Sequence, residues 1–188
     1  MPMPDEADAG PPRLEIVRSF VNTRDIEAGQ DRLSSPRALD EWLSGSGLDL
    51  EPTESNHGDL ALATDAREAL RSLLWTNNGE PPDDAAAAVL NDVVQRADVR
   101  LQFGPGGAMS LRPTATGVVG ALGQLLGIVA GSMTDGTWPR LKACRNHTCG
   151  WAFYDHARNR SARWCSMAVC GNRMKVRTFR ARQRGGGA

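Results

Sequence analysis

Four cysteines are the residues of this chain whose spacing points most directly to chemistry. Cys144 and Cys149 form one pair, Cys165 and Cys170 form a second, and each pair encloses four residues. A tetrahedral zinc ion takes four thiolates, and two tight loops with two cysteines each supply them. Buried or disulfide-bonded cysteines are the alternative, but no secretory signal opens the chain, so we expect a reducing cytoplasm that disfavours disulfides. The spacing therefore predicts one structural zinc ion per chain, with a hairpin between the two pairs.

A site closed by four thiolates leaves no coordination position for water, which argues against hydrolytic catalysis. The sequence contains no Ser/His/Asp set, phosphate loop or dinucleotide fingerprint. His57, His147 and His156 form no recognisable metal-binding pair, although His147 or His156 could replace a cysteine as a zinc ligand. We therefore expect that the protein is not an enzyme.

The charge is divided unevenly along a chain that is neutral as a whole. Residues 141–188 contain 11 basic residues and one acidic residue, a net charge of +10, whereas residues 1–140 contain 11 and 21, a net charge of −10. A basic module attached to an acidic body is typical of proteins that bind polyanions. The candidate DNA-binding residues are Arg163, Arg173, Lys175, Arg177, Arg180 and Arg184.

Most of these cations lie on a predicted helix over residues 167–182, with Ser166 as its N-terminal cap. Arginines at i, i+4, i+7 and i+11 from Arg173 would form a stripe that offers guanidinium groups to phosphates and guanine edges. We expect the neighbouring face, with Val169, Val176 and Phe179, to pack on the zinc loop.

Other roles for the basic segment remain open at this point. It could be a solvated tail, or it could dock on the acidic body. RNA is another ligand, since four aromatic residues could stack on unpaired bases, although they more simply form the small core of the module. They are Trp151, Phe153, Tyr154 and Trp164.

The N-terminal part of the chain has the pattern of several helices. One is predicted over residues 13–22, and Ser35 and Pro36 begin a second that ends at Gly45. A third covers residues 60–75, and a fourth begins after Asp83. Alternating apolar residues over 99–103 and 108–112, on either side of a Gly/Pro turn, predict a β-hairpin.

An uncharged, glycine-rich helix follows over residues 113–134. Gly123, Gly127 and Gly131 repeat the small-residue spacing of membrane helices, but polar residues interrupt the run, so we expect a buried core helix and no membrane partner. The fold class is thus α+β. We divide the chain into a disordered lead-in (1–12), a mainly helical domain with one β-hairpin (13–137), a zinc-bound hairpin/helix module (138–184) and a flexible tail (185–188).

The motifs resemble those of a known family. The strings CRNHTCGWAFYD at residues 144–155 and RWCSMAVCGNR at residues 163–173 look like the CGNR zinc finger, named after the final Cys-Gly-Asn-Arg. That finger usually follows a helical ABATE domain, in a family described as stress-induced transcription regulators. Residues 20–23, 33–43 and 66–71 are similar to the ABATE domain, and the whole resemblance covers about residues 13–184.

The resemblance implies zinc on the four cysteines and DNA binding by the basic helix. We therefore expect a cytoplasmic, bacterial-type regulator with a sensory N-terminal domain. Its partners would be duplex DNA, a small-molecule effector and a second copy of the chain, which would double the DNA contact. Asn22, Arg67 and Arg71 are candidates for the effector pocket, although a surface or salt-bridging role suits the two arginines better. The alternative function is a zinc-dependent protein- or RNA-interaction module that does not bind duplex DNA.

Overall fold

Five helices build the larger part of the computed structural model, which describes residues 10–49 and 54–185. The longest helix, with 21 residues, lies at the centre and contacts the other four. This arrangement confirms the prediction of a mainly helical N-terminal region. The helices are α1 (Pro12–Val21), α2 (Pro36–Gly45), α3 (His57–Asn77), α4 (Asp84–Arg96) and α5 (Gly117–Thr134).

Side-chain caps account for three of the five helix starts. The hydroxyl of Ser35 accepts a hydrogen bond from the Ala38 amide at 3.2 Å, and the carboxylate of Asp83 caps α4, as the sequence predicts. α3 begins three residues before its predicted start. Asn56 and Asp59 form a reciprocal capping box there, which adds the missing first turn.

The predicted lead-in over residues 1–12 is only partly covered, because residues 1–9 lie outside the described part of the chain. α1 already begins at Pro12, since proline suits the first position of a helix. Gly10 contacts the Tyr154 ring so closely that a Cβ atom would lie 2.8 Å from a ring carbon. Residues 10–12 therefore belong to the folded part of the chain. At the other end, residues 186–188 of the predicted tail also lie outside the description.

The predicted β-hairpin is present, with β3 (Arg100–Phe103) antiparallel to β4 (Met109–Arg112). Leu101 is paired with Leu111 and Phe103 with Met109, so these four side chains share one face of the hairpin.

The glycines of α5 let this hairpin approach closely. A Cβ atom on Gly123 would lie 2.8 Å from the Pro113 ring, and one on Gly127 would lie 2.9 Å from the Leu111 carbonyl oxygen. By length and composition alone α5 could cross a membrane. Here it packs against α1, α3 and α4, as expected of a core helix. Its buried apolar side chains include Val118, Leu122, Leu125 and Val129.

The remaining elements are short strands and one C-terminal helix. Two strands, β5 (Leu141–Ala143) and β6 (Ala152–Tyr154), pair antiparallel, and a π-helical turn over Met167–Gly171 leads into α6 (Asn172–Gly185). A further small hairpin, β1 (Arg24–Asp25) with β2 (Gln30–Asp31), was not predicted. Leu141, Ala143 and Ala152 are buried in the same core as the helices, so the module and the helical body share one hydrophobic core.

Candidate zinc centre and basic helix

The four cysteine sulfurs converge on one point. All four Sγ atoms lie within 4.8 Å of one another. Cys149 and Cys165 are 3.7 Å apart at their sulfurs, and Cys165 and Cys170 are 3.8 Å apart. A tetrahedron with zinc–sulfur bonds of about 2.3 Å requires sulfur separations of about 3.8 Å. The residues therefore fit a single structural zinc ion, and the cluster confirms the predicted ligand set.

The first cysteine pair lies in the loop that joins β5 to β6. The Cys144 amide donates a hydrogen bond to the Trp151 carbonyl at 2.9 Å, which closes the loop. Gly150 has φ +56°, and a Cβ atom there would lie only 2.7 Å from Ile26, so glycine suits both the backbone and the space.

The position of this hairpin corrects one expectation from the sequence. We expected a hairpin between the two cysteine pairs, whereas β5 and β6 enclose the first pair. The reason is that Leu141, Ala143 and Ala152 are apolar and pack into the shared core. The segment after Tyr154 is mostly polar and charged, so it gains little by forming a second buried strand.

The second pair lies at the start of the C-terminal helical segment. Cys165 precedes the π-helical turn and Cys170 lies within it. The Ser166 hydroxyl accepts a hydrogen bond from the Val169 amide at 3.3 Å, as the predicted cap requires.

The four thiols are close enough to shift one another's pKa. Hydrogen bonds from the Cys149 and Cys165 thiols lower the pKa of Cys144 to about 2. Its thiolate in turn holds the proton on Cys149, whose pKa is raised to about 12. The pKa of Cys165 is also raised, by hydrogen bonds to Cys144 and Cys149, and burial raises that of Cys170. A bound zinc ion supplies the positive charge that lets all four become thiolates.

Two of the four aromatic residues of the module contact the centre. Trp151 and Trp164 pack against the cysteines, while Tyr154 packs against the core of the helical body. These rings therefore give the small module its apolar contacts.

The candidate effector residues Asn22, Arg67 and Arg71 are buried and do not face an open pocket. Asn22 donates to the Ala152 carbonyl at 2.9 Å and accepts from the Ala152 amide at 2.8 Å. Arg71, with no exposed surface, donates to the Gly150 carbonyl at 2.6 Å and to the Val21 carbonyl at 2.7 Å. These two side chains join the helical body to the zinc module.

Arg67 is buried one helical turn before Arg71. Its guanidinium forms a two-pronged ion pair with Asp31, at 2.7 and 2.8 Å, and a hydrogen bond to Thr23. Glu68 accepts from both arginines, at 2.9 and 3.0 Å. The salt-bridging role is thus present, but in a buried site. In the described part of the chain no buried side-chain nitrogen or oxygen lacks a partner, so these groups are occupied by the protein itself.

The end of α3 makes a second set of contacts with the module. The Trp75 indole donates to the Cys144 carbonyl at 3.0 Å, and its ring contacts that of His147 in a tilted arrangement, with 4.5 Å between the centroids. Asn77 donates to the Leu141 carbonyl at 2.9 Å. Asn78, which caps α3, donates to the carbonyls of Ala143 and Arg163 at 2.8 and 2.9 Å. The sequence predicts no role for Asn77 or Asn78 in joining the body to the module.

The basic helix extends away from the body. In α6, Met174 is half-buried and every other side chain described is exposed. Arg173 forms an ion pair with Glu27 of the β1–β2 loop. The predicted cations Arg163, Arg173, Lys175, Arg177 and Arg180 are all exposed, whereas the side chain of Arg184 lies outside the described part.

The prediction that the apolar face of the C-terminal helical segment packs on the zinc loop is wrong. Val169, Val176 and Phe179 are 39%, 47% and 61% exposed. Trp151 and Trp164 pack against the cysteines, so the zinc cluster has its apolar contacts without this face. This face is therefore open to solvent along with the arginine stripe.

The fold and the site define a class of protein, a helical body joined to a structural zinc module that carries a basic helix. The ABATE family, described as "Putative stress-induced transcription regulator", matches residues 15–135, and the CGNR zinc finger matches residues 140–183. The chain therefore belongs to the ABATE family and has a CGNR zinc finger after its helical domain. None of the curated proteins compared with the chain matches it.

Proposed function

We propose that this protein is a transcription regulator that binds duplex DNA through α6. The observation that carries this proposal is the composition and exposure of the helix. It contains six basic residues and no acidic residue, and it has almost no packing partner in the described chain. An isolated cationic helix of this length gains little stability by itself, and a polyanion would neutralise its self-repulsion.

The dimensions of α6 suit the major groove of DNA. Fourteen residues form a helix about 21 Å long, and the groove is about 12 Å wide, enough for one α-helix. The exposed Arg173, Arg177 and Arg180 lie along one side of it. Arginine can bind guanine in two-point contacts or bind phosphate, so the same stripe can supply both specificity and affinity.

The test is duplex binding by the zinc-loaded full chain between about 50 and 200 mM salt. We expect affinity to fall steeply with salt. Arg177→Ala should make the negative slope of log K against log[salt] shallower by about 0.9, the value for one lost phosphate contact. The zinc content should not change. Arg37→Ala is the matched control, because Arg37 is an exposed arginine on α2. No salt-dependent binding by the wild-type protein, or equal effects of the two variants, would contradict the proposal.

The alternative function, binding of a protein or RNA partner without duplex DNA, has one observation in its favour. Val176 and Phe179 are exposed on the same helix as the arginines. A groove of DNA has few apolar surfaces for them, whereas a protein surface or an unpaired base does. The double variant Val176→Ser/Phe179→Ser would distinguish the two functions. It should leave duplex binding nearly intact and abolish binding to an apolar partner.

We also propose a second copy of the chain as a partner, through the edge of β3. In the described residues β3 pairs only with β4, so its outer edge is free for antiparallel pairing with an identical strand. Leu101, Phe103 and Met109 are each more than half exposed on one face and would extend across the joined sheet. Light scattering should show a dimer for the wild-type protein and for Ser110→Lys, but a monomer for Phe103→Lys. A monomeric wild-type protein would end this proposal.

The proposed regulator is cytoplasmic and non-enzymatic, and its helical body senses an effector. Asn22, Arg67 and Arg71 are not proposed as the effector site, because Asn22 and Arg71 join the body to the zinc module and Arg67 is ion-paired with Asp31 inside the body. A signal from the body would instead have to pass through this junction to reach α6.

A further inference from the structure

The segment between β6 and Cys165 is a second concentration of positive charge. Arg158, Arg160 and Arg163 are exposed there, and the one acidic residue of the segment, Asp155, is buried. None of the ion pairs formed in the described part of the chain involves these three arginines. We refer to residues 155–163 as the basic loop.

A buried ion pair holds the basic loop in shape. Lys142 on β5 and Asp155 are 2.7 Å apart, and their side chains are only 5% and 0% exposed. The Asp155 carboxylate also accepts hydrogen bonds from the backbone amides of Ala157 at 2.9 Å and Ala162 at 3.0 Å. These bonds bring the two ends of the loop together.

The ammonium of Lys142 holds the middle of the loop as well. It donates to the Arg160 carbonyl at 2.6 Å and to the Ala162 carbonyl at 3.2 Å. The Arg140 guanidinium donates to the carbonyls of Asp155 and Ala157, both at 2.9 Å. The loop backbone therefore faces inward onto two cations, and its own arginine side chains are left on the outside.

The basic loop and α6 are attached to the same part of the zinc centre. The loop leads into Cys165 through Arg163, whose carbonyl accepts hydrogen bonds from the Arg145 amide at 3.1 Å and from Asn78. α6 leaves the centre directly after Cys170. The sulfurs of these two cysteines are 3.8 Å apart, so the metal site fixes where both cationic elements begin.

A contribution to folding stability does not explain the arrangement of the basic loop. Burying a lysine and an aspartate contributes little net stability, because both lose their hydration. Fixing three arginines within six residues adds repulsion between like charges. A rigid backbone with outward guanidinium groups is instead suited to a ligand with several negative charges at fixed spacing.

We propose that the basic loop is a second phosphate-contacting element for duplex DNA, separate from α6, and that Lys142 and Asp155 are its positioning residues. This inference rests on the proposed function. Arg158 and Arg160 contact the phosphate backbone, which positions the protein on the duplex, while α6 reaches the base edges.

The test compares the zinc-loaded full chain with Arg158→Ala/Arg160→Ala in duplex binding across a salt series. Two lost phosphate contacts should make the negative slope of log K against log[salt] shallower by about 1.8. At 0.1 M salt the affinity should fall on the order of tenfold per contact. The matched control is Arg37→Ala/Arg96→Ala, which removes two exposed arginines from α2 and α4 and should change neither quantity.

The outcomes separate this inference from the proposed function. If the wild-type chain binds duplex DNA and Arg177→Ala weakens it, but the loop variant keeps the wild-type slope, the inference fails alone. An equal loss in the control variant would also overturn it, because the effect would then come from net charge. If the wild-type chain does not bind duplex DNA, both fail.

A further variant addresses the positioning residues. Lys142→Met keeps most of the side-chain length and removes the charge that holds Asp155 and the loop. We expect this variant to keep one zinc per chain and to be cleaved faster by trypsin after Arg158 and Arg160. Its slope of log K against log[salt] should be as shallow as that of the arginine variant. Retained zinc with a wild-type slope would refute the positioning role. If this variant loses its zinc, the arginine variant decides the inference, since its exposed side chains are not needed for folding.

Discussion

Asn22 provides the sharpest test of how the helical body and the zinc module are joined. Its amide forms two hydrogen bonds with the backbone of Ala152, at 2.9 and 2.8 Å, and Ala152 has no exposed surface. Asn22→Ala leaves a buried amide and a buried carbonyl without partners. Each unsatisfied group costs about 1–3 kcal/mol, so the free energy of unfolding should fall by about 3 kcal/mol.

The same substitution should weaken zinc binding, although Asn22 is not a ligand. Small zinc modules fold only when the metal binds, so the free energy of docking against the body contributes to the apparent zinc affinity. A loss of about 3 kcal/mol in docking corresponds to roughly a hundredfold weaker affinity.

Two measurements check these values. Urea unfolding of the zinc-loaded protein gives the change in stability, and competition with a chelator gives the zinc affinity. Asn91→Ala is the control, because Asn91 is an exposed polar residue on α4. A stability change below about 1 kcal/mol would show that water replaces the lost hydrogen bonds. Lost stability with unchanged zinc affinity would show that the module folds independently of the body.

Three further predictions follow from other contacts. Cys165→Ser should abolish stoichiometric zinc and unfold the module, because structural zinc contributes on the order of 10 kcal/mol; one zinc per chain with an unchanged melt would refute the ligand assignment. Burial alone would raise the pKa of Asp31, but the hydrogen bond and charge of Arg67 hold it below its ordinary value of 3.8. The stability it contributes is therefore present above that value and lost as the pH falls through the lower folded pKa. Asp31→Asn should lower the free energy of unfolding by about 2 kcal/mol at pH 7. When this free energy is measured by urea unfolding and plotted against pH, it should fall less steeply at acid pH in the variant than in the wild type, and equal acid slopes would contradict the prediction. Gly150→Ala should lower the melting temperature, because its Cβ atom would be 2.7 Å from Ile26 in a backbone with φ +56°, and an unchanged melt would exclude close packing there.

The sequence by itself determined the zinc ligands and most helix boundaries. Paired cysteines at short spacing are local signals, and so are caps such as Ser35 and Asp83, since each acts on residues a few positions away. The hairpin of β3 and β4 is local for the same reason, because one Gly/Pro turn sets its register. The charge asymmetry that indicates a polyanion partner also needs no coordinates.

Tertiary structure alone decided what the buried polar residues do. Arg67 and Arg71 have the helical spacing of surface arginines, and nothing nearby in sequence shows that Asp31, or the Gly150 carbonyl 79 residues away, will meet them. A charged side chain is buried only where its partners are brought to it, and those partners come from distant segments. The exposure of the apolar face of α6 could not be predicted for the same reason. Its sequence shows an apolar face, but whether that face is covered depends on whether another part of the chain reaches it. In this fold Val176 and Phe179 stay exposed.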